Sequence, residues 1–229
     1  MSQLRHAILW SIFLATAFVQ LAGSVLYFFV LDETSYVQPV YLLTKLMMLV
    51  SPPVLLLLGF RLPRFSLGRS VRLSVFFGVT SGLAISGVIF GVFTLFRPVF
   101  LIFADNIAVK VETFGILPYY LAATIIFSLG HSLFEEYFWR WYVVRGLQTR
   151  LEPARAILLG GLFFSLHHFI VLSQFFPWGL TLLFGITVGV GGIIWSWAYK
   201  KTDSLLGPWI SHALVDGTLF LIGYILLLG

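Results

Sequence analysis

The sequence predicts an all-α fold: a polytopic membrane protein of about seven transmembrane helices enclosing a cytosol-facing intramembrane cavity. Three observations predict it. Of the 229 residues, 59% are hydrophobic and only 10% charged, whereas a soluble domain carries about 25% charged residues. The mean hydropathy is +1.00, and the apolar residues come in runs long enough to cross a membrane, about 20 residues at ~1.5 Å rise each. The basic residues gather in alternate loops, as they do at the cytosolic face of membrane proteins.

Taken in order, spans are predicted at 7–30, 38–60, 73–96, 115–145, 156–173, 178–199 and 205–228. The first follows Arg5. It is too long for the apolar core of a cleavable signal and has no small-residue cleavage site, so it reads as a span. The second contains Pro52 and Pro53, which are expected to kink it, a fault that neighbouring helices absorb in a membrane. Lys45 lies about two turns into the same helix, within reach of the interface by snorkelling. After the third span, "PVFLIFADN" at 98–106 is too short to cross and is expected at an interface. The sixth span carries "GITVGVGG" at 185–192, where Gly185 and Gly189 allow close helix approach. No lysine–serine pair of the phosphate-loop kind follows it. With no internal repeat and no soluble module, residues 1–229 are expected to form a single transmembrane domain.

The loops give an orientation. Arg5; Arg61, Arg64, Arg69 and Arg72; Arg145, Arg150 and Arg155; and Lys200 and Lys201 lie at alternate ends, and account for ten of fourteen basic residues. The opposite loops hold Arg97 and Lys110 beside Asp32, Glu33, Asp105 and Glu112. The positive-inside rule then puts the N-terminus in the cytosol and, with seven spans, the C-terminus outside. The chain has no cysteine, so disulfides, thiolate ligands and a cysteine nucleophile are excluded. The net charge of +5 is explained by the loops, and no nucleic-acid motif is present. The expected partners are membrane lipid and a membrane-associated peptide or protein substrate.

Ionisable side chains inside spans are costly and mark functional sites by default. Besides Lys45 and His131, which reads as a packing or interface residue, they form three clusters: Glu135, Glu136 and Arg140; His167 and His168; His212 and Asp216. Residues four apart share a helix face, so Glu136 is expected beside Arg140, and His212 beside Asp216. Glu135 points about 100° away from Glu136 and, desolvated, suits a proton acceptor working near neutrality. Counted from the cytosolic ends of their helices, Glu135, His168, His212 and Asp216 lie roughly 10 to 18 Å deep at ~1.5 Å per residue. Polar groups of this kind also glue helices together. Three clusters at matching depth, two of them bearing carboxylates, favour a site.

In order, the clusters resemble the CPBP family, the CAAX-protease and bacteriocin-processing intramembrane peptidases, also called Abi proteins. That family shows E-E-x-x-x-R, then F-x-x-x-H, then H-x-x-x-N or H-x-x-x-D. Here stand "EEYFWR" at 135–140 and "HALVD" at 212–216. The resemblance covers roughly 115–220. The middle motif can be read as Phe163 to His167 or Phe164 to His168. His168 is favoured because the small residue Ser165 follows Phe164. Where the family often has glycine after the arginine, this chain has Trp141.

The resemblance implies an intramembrane endopeptidase. Glu135, aided by His168, would activate a water. His212 would donate to the developing oxyanion and Asp216 would orient it, while Glu136 and Arg140 hold the helix and fix the charge state. Glu135, His168 and His212 also make a familiar zinc set with an open position for water. An acid and a histidine activate water without metal as well, and the residues allow either. The implied substrate lies near the inner membrane face and is of a prenylated or bacteriocin type. The alternative is a non-catalytic scaffold or self-immunity protein of the same fold. A third possibility, a proton-relaying transporter, lacks the paired halves that such transporters show.

Overall fold

The computed structural model describes all residues except 1–2, 32–33, 64–69, 114 and 229, and no strand occurs among the described residues. Arg64, Arg69, Asp32 and Glu33, used above for orientation, lie outside them. In chain order the helices are α1 (Gln3–Ala17), α2 (Val19–Val25), α3 (Val37–Leu57), α4 (Val71–Leu95), α5 (Arg97–Leu101), α6 (Ala104–Thr113), α7 (Tyr120–Ile125), α8 (Ser132–Glu136), α9 (Arg145–Leu147), α10 (Pro153–Leu172), α11 (Trp178–Thr202) and α12 (Leu206–Leu228). Among the described residues, six helices are long and apolar enough to cross a membrane, and a bent pair makes a seventh candidate. The chain is a multi-pass membrane protein.

The bent pair is the predicted first span. It is broken rather than continuous, because Gln3–Ala17 and Val19–Val30 meet at 41°. At the break Phe18 adopts φ −95° and ψ 0°, and its N–H bonds to the Ala15 carbonyl, three residues back. The tightened turn deflects the chain. By contrast α3 continues as one helix through Pro52 and Pro53. Lys45 has a partner within the protein: its Nζ donates to Gln20 Oε1 at 3.2 Å and lies 5.5 Å from the Tyr41 ring centroid. The segment after the third span is α5 and α6, too short to cross.

The fourth span, Leu117–Leu147, alternates in helix type. After α7 comes a π-helical stretch, Ile126–His131, then α8, then a second π-helical stretch, Tyr137–Val144. Both glutamates therefore sit on one short α-helical piece between two widened ones. Widened turns of this kind recur at functional sites.

The chain divides into two units, one of Met1–Phe65 with Tyr137–Ser196 and the other of Ser66–Glu136 with Trp197–Gly229. In the first, Phe13 stacks on Phe60 at 5.0 Å and meets Tyr142 edge-on at 5.2 Å, and the Thr16 and Tyr142 hydroxyls are hydrogen-bonded. The broken first span thus supports the stretch around Arg140. Helices α10 and α11 approach through glycine. A Cβ on Gly161 would lie 2.9 Å from the Gly189 carbonyl, and one on Gly192 would lie 2.9 Å from the Phe164 ring. Gly185 faces the Phe169 ring, the packing role expected of "GITVGVGG".

In the second unit α12 lies along α4, again through small residues. A Cβ on Gly78 would meet the Gly207 carbonyl at 2.6 Å, and one on Gly82 the Ser211 Cα at 3.0 Å. Ser81 Oγ donates to Ser211 Oγ at 3.0 Å, and Ser86 Oγ to the Leu214 carbonyl at 3.1 Å. At the other end of α12, Phe93, Ile222 and Leu226 form a buried cluster joined by Phe100, Ala104 and Ile107 of the short helices.

Candidate functional site

The second unit holds Glu135, Glu136, His212 and Asp216, and the first holds Arg140, His167 and His168. In the second unit three carboxylates converge on one imidazole. His212 Nδ1 lies 2.9 Å from Glu136 Oε1. On the other side of the ring, Nε2 lies 3.5 Å from Asp216 Oδ1 and 4.0 Å from Glu135 Oε2. Glu135, Glu136 and His212 are all buried. The expected neighbours His212 and Asp216 do meet, one helical turn apart on α12. The shortest contact of the ring, however, is with Glu136. Nδ1 is thus hydrogen-bonded to Glu136, while Nε2 faces Asp216 and Glu135.

Glu135 has a second imidazole beside it. His131 Nε2 stands 3.3 Å from Glu135 Oε1, one turn earlier on the same span. The sequence alone reads His131 as a packing or interface residue. It stands four residues before Glu135, the same spacing as His212 to Asp216.

The first unit gives the two adjacent histidines different surroundings. His167 lies flat against Trp139, with ring centroids 5.7 Å apart and planes within 1°. His168 Nδ1 is 2.8 Å from the Phe164 carbonyl of its own helix. A backbone carbonyl only accepts, so the Nδ1 proton is placed there and the lone pair falls on Nε2, the form of histidine that can take a proton or ligate a metal. Phe164 also supports Arg140, whose guanidinium carbon lies 4.7 Å from the Phe164 ring centroid and 5.6 Å from that of Trp195. Arg140 is fully buried and donates through Nη1 to Ser196 Oγ at 3.2 Å. The phenylalanine of F-x-x-x-H therefore touches the arginine of the first motif through its ring and holds His168 through its carbonyl.

Trp141, which replaces the frequent glycine, is buried. It donates from Nε1 to the Pro63 carbonyl at 3.0 Å. Its bulk is taken up against the chain leaving α3.

For a metal, the sequence offered Glu135, His168 and His212. Glu135 and His212 supply a carboxylate oxygen and an imidazole Nε2, donors that zinc accepts. Glu136 on Nδ1 of His212 is the outer carboxylate that ligating histidines commonly carry. His168 presents Nε2 with Nδ1 already bonded. The donor chemistry fits.

A multi-pass helical protein with paired acids and imidazoles buried in its spans is a membrane protein with an intramembrane polar site. Residues 115–218 match the Rce1-like family, described as type II CAAX prenyl endopeptidase Rce1-like. The resemblance to CAAX proteases carried by the three motifs holds over that segment. No curated protein and no solved structure matches the chain.

Proposed function

We propose that the protein is an intramembrane endopeptidase that hydrolyses a peptide bond of a membrane-associated substrate, with prenylated chain ends as the first class to test. The observation that carries this reading is the convergence of Glu135, Glu136 and Asp216 on His212 within a segment matching the Rce1-like family. A scaffold gains nothing from gathering three carboxylates about one buried imidazole, because each buried charge costs several kcal/mol unless compensated.

In this reading Glu135 takes a proton from the attacking water, and the hydroxide adds to the scissile carbonyl carbon. The family motifs assign His168 to the same step, and the bond from its Nδ1 to the Phe164 carbonyl leaves Nε2 able to accept. His212 donates to the oxyanion as it forms. Glu136 fixes the plane of the ring by holding Nδ1, so that Nε2–H is aimed in one direction before the reaction begins. Asp216 stands on the Nε2 side and restrains that N–H until the oxyanion competes for it. The proton on Glu135 then passes to the leaving amine as the C–N bond breaks. Zinc, where bound, would draw its ligands from the candidates Glu135, His168 and His212 and would polarise the water; a ligating His212 Nε2 would be deprotonated and would no longer donate to the oxyanion. The loop charges support a cytosolic N-terminus and entry of substrate from the cytosolic side.

The test is cleavage of a fluorogenic farnesylated peptide by the purified protein, with its metal content measured in parallel. Glu135→Gln and His168→Ala should each abolish turnover without changing the thermal midpoint in detergent by more than a few degrees. Turnover at the unsubstituted rate in both variants would reject the peptidase reading.

A further inference from the structure

We propose that His131 is a positioning residue for Glu135, a role that rests on the peptidase reading above. The two oxygens of the Glu135 carboxylate face two imidazoles: Oε1 lies 3.3 Å from His131 Nε2, and Oε2 lies 4.0 Å from His212 Nε2. A carboxylate can rotate about its last bond, whose torsion is broad and roughly two-fold. A base that must take a proton from one water needs one of its oxygens held in a set direction. The His131 imidazole, 3.3 Å from Oε1 though not in hydrogen-bond alignment with it, limits that rotation from one side and leaves Oε2 for the water and His212.

The segment bearing His131 is itself held in place. It closes the π-helical stretch Ile126–His131, whose widened turn leaves carbonyls open to partners from other helices. The Leu129 carbonyl accepts from Trp209 Nε1 of α12 at 2.9 Å. Ser132 Oγ bonds to the Ser128 carbonyl, and the Phe127 ring meets the His131 ring edge-on at 5.8 Å. Helix α12, which packs against this stretch, contributes His212 and Asp216, and the same span contributes Glu135 and Glu136. A purely packing histidine would need neither this anchoring nor an Nε2 placed 3.3 Å from a buried carboxylate oxygen.

The experiment uses the full chain in detergent with the farnesylated peptide as probe. His131→Phe keeps the ring volume and removes the polar nitrogen beside Oε1, while His131→Gln keeps a polar group at about the reach of Nε2. His131→Phe should lower kcat on the order of 10²-fold with KM within about twofold, the scale of a misplaced catalytic group. His131→Gln should recover at least a tenth of the lost rate. An activity-independent readout is the infrared band of the Glu135 carboxyl group, assigned by its disappearance in Glu135→Gln. It should shift in His131→Phe and return towards its position in His131→Gln. Unchanged kcat and an unmoved band in His131→Phe would overturn the positioning role alone. Full turnover by Glu135→Gln would instead remove the peptidase reading on which it rests.

Discussion

His212 Nδ1 and Glu136 Oε1 are 2.9 Å apart, with both side chains buried. The second glutamate of E-E-x-x-x-R thereby reaches the histidine of the third motif, 76 residues along the chain. The carboxylate holds the ring through Nδ1, and Nε2 is therefore the nitrogen that the proposed mechanism uses.

Removing that control should slow catalysis more than it weakens binding. Glu136→Ala is expected to lower kcat on the order of 10²-fold, as loss of an orienting partner does. Glu136→Gln, which still offers an acceptor oxygen, should lose less. Steady-state kinetics on the farnesylated peptide check this, and equal losses in the two variants would count against an orienting role.

The two histidines of "LHHF" should separate in function. His167→Phe retains a flat ring against Trp139 and is expected to keep most of the turnover. His168→Phe should be inactive, because the group bonded to the Phe164 carbonyl and able to accept at Nε2 is lost. Reversed activities would reassign the middle motif to Phe163 and His167.

Arg140→Lys should destabilise the protein despite keeping the charge. The planar guanidinium lies over Phe164 and Trp195 and bonds to Ser196, and an ammonium cannot reproduce that stacking. A loss of about 1–3 kcal/mol is expected, the scale of hydrogen bonds to charged groups, and Ser196→Ala should cost less. Thermal unfolding in detergent measures both.

The glycines of α4 give an internal comparison. A Cβ at Gly78 would lie 2.6 Å from the Gly207 backbone carbonyl, whereas one at Gly87 meets nothing within 4 Å. Gly78→Ala should therefore cost about 1–3 kcal/mol, and Gly87→Ala should be neutral or stabilising by up to ~1 kcal/mol. A similar thermal midpoint for the two variants would argue against the close approach of α4 and α12.

Orientation can be read from single cysteines, since the chain has none of its own. Lys201→Cys should resist a membrane-impermeant thiol reagent applied from outside intact cells, and Val109→Cys should label. The opposite pattern would invert the topology.

The sequence by itself determined the helical membrane class, the number of spans to within one, and the identity of the charged and imidazole groups. Apolar run length and the cost of burying charge are local properties, written along the chain. The i,i+4 relation of His212 to Asp216 was equally legible, because helix periodicity alone fixes it. So is that of His131 to Glu135.

Tertiary structure decided which partners those groups take. The bond between Glu136 and His212 and the contact of Glu135 Oε2 with His212 join α8 to α12, and no periodicity predicts how two helices are rotated against each other. The packing of Gly78 and Gly82 fixes the face that α12 turns to α4, and the bond from Trp209 to the Leu129 carbonyl ties α12 to the span of the glutamates. The break at Phe18 and the two π-helical stretches around the glutamates escaped notice for the same reason. Each is a departure from regular helix bonding supported by neighbours distant in sequence, such as Trp209 at the Leu129 carbonyl. Spacing names the groups that can act, and packing between helices aims them.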